Sequence, residues 1–246
     1  MPRRSGEACA AASDYFPAAQ FFSRVRDYGA ILSMPLTTSY LNEQKEKDIV
    51  GFLERFVGEC PEQTLQEYPF ALLTFAFQFM KSGKRALFSQ MVRLLRAIAD
   101  APSGLPESTV SRIRGETALL LSFTEFNDIA KMSAYHREAL LHLNMSDDGA
   151  PPKTVVFGST PWTFGVASVL CLYWSKSGEL DTELALMGEC MPWYVKLSAG
   201  HGAGADSVMR AEACLYRGEE PEAEAASHKA LYRARSARHT SISLCA

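Results

Sequence analysis

The sequence predicts an all-α fold of antiparallel helical hairpins stacked as an α-solenoid, and three observations predict it. Apolar residues recur at helical spacing along most of the chain, while no segment of any length alternates with the period of a strand; Val155-Val156-Phe157 is only three residues within a loop. Turn residues punctuate the helices at Gly83, Gly178 and Gly218, with Asn127-Asp128 in the same role. Behind the last of these turns, Ala223, Ala226 and Ala230 place small residues on the second helix of a pair, which lets two helices approach closely. With 246 residues, 47% of them hydrophobic, the chain is long enough for one or two globular cores or for one elongated array.

In residues 16–34, Phe21, Phe22 and Val25 share one side of a short helix, Arg26-Asp27-Tyr28-Gly29 breaks it, and Ala30, Ile31 and Leu32 begin its partner. Residues 36–41 add a turn of helix. Asn42 is then expected to cap a helix over residues 43–57, where Ile49, Val50, Phe52, Leu53 and Phe56 recur at helical spacing. Pro61 and Pro69 read as helix starts, because the first-turn N–H that proline lacks has no partner anyway. The helix over 68–81 is apolar nearly all round, with Thr74, Gln78 and Lys81 on one face, so everything else on it needs cover. Gly83 closes it, and residues 86–99 return as an amphipathic partner carrying Met91, Leu94, Leu95 and Ile98.

A turn cluster spans 101–106, Ser108 precedes a helix through Phe123, and residues 129–143 form its partner. Periodicity then vanishes in residues 144–160, where Asp, Gly, Pro and Thr dominate. Loops longer than about 12–15 residues tend to carry function, which makes this one a candidate. Thr160-Pro161 opens a strongly apolar helix over 162–177, and residues 181–197 run back, with Pro192 expected to kink or shorten the return. The hairpin over 205–236 is the best formed of the set.

A net charge of −3 supplies no basic field for a phosphate backbone. The six cysteines form no CxxC pair, and Cys171 and Cys214 fall inside apolar helical patterns, so they read as small buried hydrophobes in a reducing, cytoplasmic setting. The N-terminus lacks the leucine-rich run of a secretory signal, and the longest apolar run, residues 70–80, is short of the roughly 18 residues of a membrane span.

Chemical motifs are equally sparse. No phosphate-cradling glycine loop with its lysine occurs. Gly200-His201-Gly202-Ala203-Gly204 follows a helix and lacks the third glycine of a dinucleotide fingerprint, so it reads as a tight turn, with His201 a surface or turn histidine. His136 and Glu138 have no third metal ligand nearby, and no nucleophile elbow accompanies the serines. No catalytic residue, metal or cofactor is therefore expected. Trp162, Trp174 and Trp193, with Tyr173 and Tyr194, read as core aromatics, or alternatively as a stacking platform for a sugar or another flat ligand. Arg114-Gly115-Glu116 and Arg210-Ala211-Glu212 put charges inside apolar helices, where they must be paired or face a groove.

Turn-to-turn intervals of 44, 51 and 40 residues, from Gly83 to Gly218, exceed the roughly 34 of an ideal tetratricopeptide repeat. The combination ASDYFPAAQFFSRVRDY, RIRGETALLLSFTEFNDIAKM, SGELDTELALM and GHGAGADSVMRAEACLYRGEEPEAEAASHKAL nevertheless resembles the tetratricopeptide-like sensor region of MalT-like, LuxR-type transcriptional regulators over nearly the whole chain. The resemblance implies a right-handed α-solenoid of degenerate hairpins. Residues 1–35 become an N-terminal helical segment at the end of a preceding winged-helix region, and 36–246 a repeat domain truncated at its C-terminus. It also implies a small-molecule effector or protein partner in the groove, self-association, and DNA contact only through a domain missing from this chain. A free-standing scaffold for peptides or proteins is the alternative. By the register of ideal repeats, the groove-lining positions precede each turn by thirteen, ten, six and three residues. Of the positions so mapped, Arg114, Thr117, Ser168, Leu172, Ser175, Val208 and Glu212 are the candidate ligand contacts.

Overall fold

The computed structural model describes residues 2–101, 104–143, 154–155, 168–174, 176–198 and 200–238, with Ser39 and Glu46 described in backbone only. Fourteen α-helices and one 3-10 turn are found among them and no strand, so the chain is all-α. The contacts divide it into two compact units. Unit 1 is built from Met1–Leu120 with Thr154–Ser159, and unit 2 from Leu121–Lys153 with Thr160–Ala246.

Unit 1 runs α1 (Pro2–Ala11), α2 (Tyr15–Arg24), α3 (Tyr28–Ser33), α4 (Thr38–Glu43), α5 (Glu46–Glu59), α6 (Glu62–Gln66), α7 (Pro69–Lys81), α8 (Arg85–Asp100) and most of α9 (Glu107–Ser122). Its centre is α7, whose Leu72, Leu73, Phe75, Ala76 and Phe79 are fully buried. Phe56 on α5 packs edge-on against Phe75 at 5.8 Å and stacks on Phe52 at 6.1 Å, and Phe16 continues the cluster from α2. Gly83 takes φ +71 at the α7–α8 turn, where the Lys84 N–H reaches back to the Phe79 carbonyl at 2.8 Å. That is the left-handed closure only glycine adopts without steric cost.

Unit 2 holds α10 (Ile129–His142), α11 (Val169–Tyr173), α12 (Leu180–Leu197), α13 (Ala205–Arg217) and α14 (Glu220–Ser236). Asn127 enters the left-handed region at φ +79, and Asp128 caps α10 by accepting the Lys131 N–H at 3.0 Å. In the final hairpin, Ala223, Ala226, Ala230 and Ala234 of α14 are buried, and so are Ala205, Val208, Met209 and Ala213 of α13. Arg233 adds an ion pair to Asp206 at 2.6 Å. A partly exposed pair of this kind contributes at most about 1 kcal/mol, so the small-residue packing dominates.

Several expectations need correction. Asn42 is not a cap: it lies inside α4, α5 starts after Lys45, and the Asn42 Oδ1 instead accepts from Gln78 Nε2 and Lys81 Nζ, each at 3.3 Å. Thr74 and Gln78, expected on the one uncovered face of α7, are buried as well, and the Thr74 hydroxyl donates to the Phe70 carbonyl at 3.3 Å. The stretch between Pro61 and Pro69 is itself helical, as α6. Pro192 does not shorten the helix that contains it, which runs unbroken to Leu197. Of the apolar helix predicted over 162–177, α11 accounts for five residues, and residues 161–167 lie outside those described. Cys171 is exposed rather than buried, and His201, although in a turn, is buried.

Candidate functional site

Two proline breaks shape the cleft of unit 1. Met34 precedes Pro35 and is extended, at φ −70 and ψ 150, because the proline ring clashes with a helical residue before it; α3 and α4 are therefore separate six-residue helices with a bend between them. Tyr68, before Pro69, is likewise non-helical, at φ −127 and ψ 65, and α7 starts after it with its proline in the first turn. The Ile31–Thr38 bend and the start of α7 line a cleft of about 590 Å³, completed by Leu105 just before α9, by Thr109 within it, and by Thr154 and Val155. That volume falls in the range of about 300–1,000 Å³ typical of small-molecule sites. The described lining is apolar with several hydroxyls, and Glu67 is its single carboxylate.

At one edge of the cleft, both main-chain groups of Val155 are held. Its N–H donates to Oε1 and Oε2 of Glu116, each at 2.8 Å, and its carbonyl accepts from the Thr38 hydroxyl at 3.1 Å. Glu116 is 0% exposed. A buried carboxylate is costly unless hydrogen-bonded and paired. Here the Val155 N–H supplies the bond, and Arg112, one helical turn earlier, supplies the charge at 3.5 Å. The Arg112 guanidinium lies over the Phe70 ring, 4.5 Å from its centre, and so ties the anion to the cleft wall.

Unit 2 encloses a smaller apolar cavity of about 40 Å³, lined by Met132, Ser133, His136, Tyr173, Cys190 and Tyr194 among others. That is room for a water or two rather than an organic ligand. Burial holds His136 down at about 4, so its imidazole is neutral near pH 7, and the same cause pushes the Tyr173 phenol up to about 12 and the Tyr194 phenol higher still. The His136 and Tyr194 rings lie 5.4 Å apart.

The residues expected to line a solenoid groove are distributed differently. Arg114 donates to the Ala99 carbonyl at 2.8 Å, while Thr117, one turn on, is buried and bonded to the Ile113 carbonyl; both are in unit 1. In unit 2, Ser168 caps α11 by accepting the Cys171 N–H at 3.0 Å, and the Glu212 carboxylate accepts the Leu170 N–H at 2.7 Å. Leu172 is half-buried, Val208 is fully buried, and Ser175 lies outside the described residues. The structure thus brings Ser168 and Glu212 together at the start of α11, where they satisfy the first-turn donors of that helix. The aromatic group also divides: Tyr173 and Tyr194 line the small cavity, Trp174 packs against Tyr216 at 5.6 Å, Arg137 lies over Trp193, and Trp162 is outside the described residues.

Sequence reasoning singled out Glu116 as a charge inside an apolar helix and missed the cleft beside it. Its signal was present in the two X-Pro steps at Met34-Pro35 and Tyr68-Pro69, of which only Pro69 was read, and then only as a helix start. Comparison with protein-family models, curated proteins and solved structures finds no match to this chain.

Proposed function

We propose that this chain is a non-enzymatic sensing or interaction region of a LuxR-type, MalT-like regulator, with its hairpins arranged as a degenerate tetratricopeptide-like α-solenoid. In this reading it works in the cytoplasm, takes up a small-molecule effector or a partner protein, and leaves DNA contact to a domain outside the chain. The observation that carries the binding role is the unit 1 cleft, ligand-sized and lined by apolar groups and hydroxyls. Such a lining favours a ligand with an apolar body and a few hydrogen-bonding groups. A ligand that prefers one arrangement of the helices would shift the regulator toward it by its difference in affinity.

Calorimetric titration of the chain with a panel of apolar metabolites, repeated on Ala71→Trp, tests the assignment. Binding to the wild type that the bulky indole abolishes is the expected result; equal binding to both proteins sets the cleft aside as the site. The alternative of a peptide scaffold has its own support, in the grip on the main chain of Val155.

A further inference from the structure

We infer that the small cavity of unit 2 is a binding site for a soft monovalent metal ion, copper(I), held by Cys190, His136 and the thioethers of Met132, Met187 and Met191. The site belongs to unit 2 alone and does not depend on the binding role proposed for the unit 1 cleft.

Helical spacing brings the donors together. Met132 and His136 stand one turn apart on α10, and Met187, Cys190 and Met191 occupy the i, i+3 and i+4 positions of α12, so each set shares a helix face. The two helices pack together, and all five side chains are buried and line the same cavity of about 40 Å³. Ligands that His136 lacks nearby in sequence are thus supplied by the facing helix. Methionines in a core ordinarily fill gaps, and their three rotatable bonds let the sulfur adapt its position. Here three of them surround a space that they leave open, beside a thiol and an imidazole.

Two observations point to an ion in that space. First, the His136 imidazole is 4% exposed and makes no hydrogen bond among the described residues. Burying such a group without a partner is unfavourable, and a metal ion that takes its lone pair relieves this. A water could bridge His136 to the Ser133 hydroxyl, which is buried without a partner too, but it gains little from four sulfurs. A soft cation uses them.

Second, the lining selects the ion. Among the described residues no Asp, Glu, Lys or Arg lines the cavity, and no three His, Cys, Asp or Glu side chains are placed to hold a metal. An ion that needs carboxylates or several imidazoles has no shell here, whereas copper(I) accepts thioethers. It would bind Cys190 as the thiolate, with the displaced proton leaving to solvent. The single positive charge then meets a single negative one. A divalent ion would leave one uncompensated charge in an apolar cavity, which burial opposes.

The test uses the full chain carrying Cys9→Ser, Cys171→Ser and Cys245→Ser, which removes thiols outside the site. Copper(I) is supplied without oxygen as its coloured bicinchoninate complex, and loss of colour counts the ions withdrawn. One ion per chain is expected. Against this parent, Cys190→Ser should weaken uptake at least about a hundredfold, and His136→Gln and Met191→Leu about tenfold each. X-ray absorption of the loaded parent should show sulfur ligands with an imidazole, and His136→Gln should lose the imidazole signal. Copper should also raise the melting temperature of the parent and leave that of Cys190→Ser unchanged. If Cys190→Ser fails to melt cooperatively, His136→Gln and Met191→Leu, which nearly conserve volume, carry the comparison. A parent that withdraws no copper, or uptake that all three substitutions leave unchanged, overturns the inference and leaves the cavity to water. Equal retention of zinc(II) by the parent overturns the choice of a monovalent ion.

Discussion

Protonation of His136 should be one of the main acid-sensitive points of unit 2. The residue is 4% exposed, and no Asp, Glu, Lys or Arg is among the described residues lining its cavity, so burial alone sets its behaviour. Its folded-state value of about 4 lies below the 6.5 it has when unfolded. Between those values the unfolded chain binds the proton and the folded one does not, so stability falls as pH falls: the contribution is complete above about pH 6.5 and is lost as pH drops through about 4. At about 1.4 kcal/mol for each unit of difference, lowering the pH from 7.5 to 4.5 removes roughly 2.5 kcal/mol. Urea unfolding at the two pH values, for the wild type and for His136→Gln, measures it. Carboxylates elsewhere contribute equally to both proteins, so the wild type should lose about 2–3 kcal/mol more than the variant. If both decline by the same amount, His136 is already protonated in the folded protein or is not enclosed as described.

Further outcomes follow from single contacts. Glu212→Ala should destabilise unit 2 by about 1.5–3 kcal/mol in denaturant titrations, because it strips a charged acceptor from the Leu170 N–H; Glu212→Gln should restore most of that, and a neutral Ala variant would show that the bond contributes nothing. Gly202→Ala forces a Cβ to within 2.9 Å of Tyr194 Cε1 at φ +76, whereas Gly83→Ala at φ +71 meets nothing within 4 Å. Both incur roughly 1–2 kcal/mol for the left-handed backbone, so the former should melt clearly lower, and matched melting points would mean that the Tyr194 ring yields freely. Among the described cysteines, a thiol reagent at pH 7.5 should label exposed Cys171 first, with Cys60, buried and pushed up to about 11, labelled only on unfolding; rapid labelling of Cys60 in the native protein would contradict its burial.

The helices themselves were legible because each is bounded by local chemistry. Gly83, Asn127, Gly178 and Gly218 all take positive φ at the turns where the sequence placed them. Pro69 opens α7, and the alanines of α14 are buried as their spacing required. What sequence could not supply was which neighbour satisfies a polar group. Asn42 has the chemistry of a cap, yet tertiary contact with Gln78 and Lys81 made it the polar centre of a helix pair. Glu212 stood out as a charge in an apolar helix, but its partner is a backbone N–H forty-two residues away, a kind of contact that no side-chain pattern announces. The cleft was hidden for a related reason. Its walls are parts of α3, α4, α7 and α9 that are adjacent only after folding, and each wall taken alone is an ordinary helix end.

The six-residue length of α3 and α4 has a consequence for how the cleft behaves in time. Helices shorter than about 12 residues are marginal in isolation and persist only through their packing. The wall of the cleft formed by these two helices thus owes its order to Ile31, Leu32 and Leu41 being buried beneath it, while the opposite wall belongs to the thirteen-residue α7. Amide exchange should accordingly be ranked across the cleft, fast over residues 28–43 and slow over 72–79, because locally supported segments open at lower free energy than the core. One side of the cleft would breathe against a fixed side, so that ligands of different girth are admitted without disturbing the aromatic cluster around Phe56.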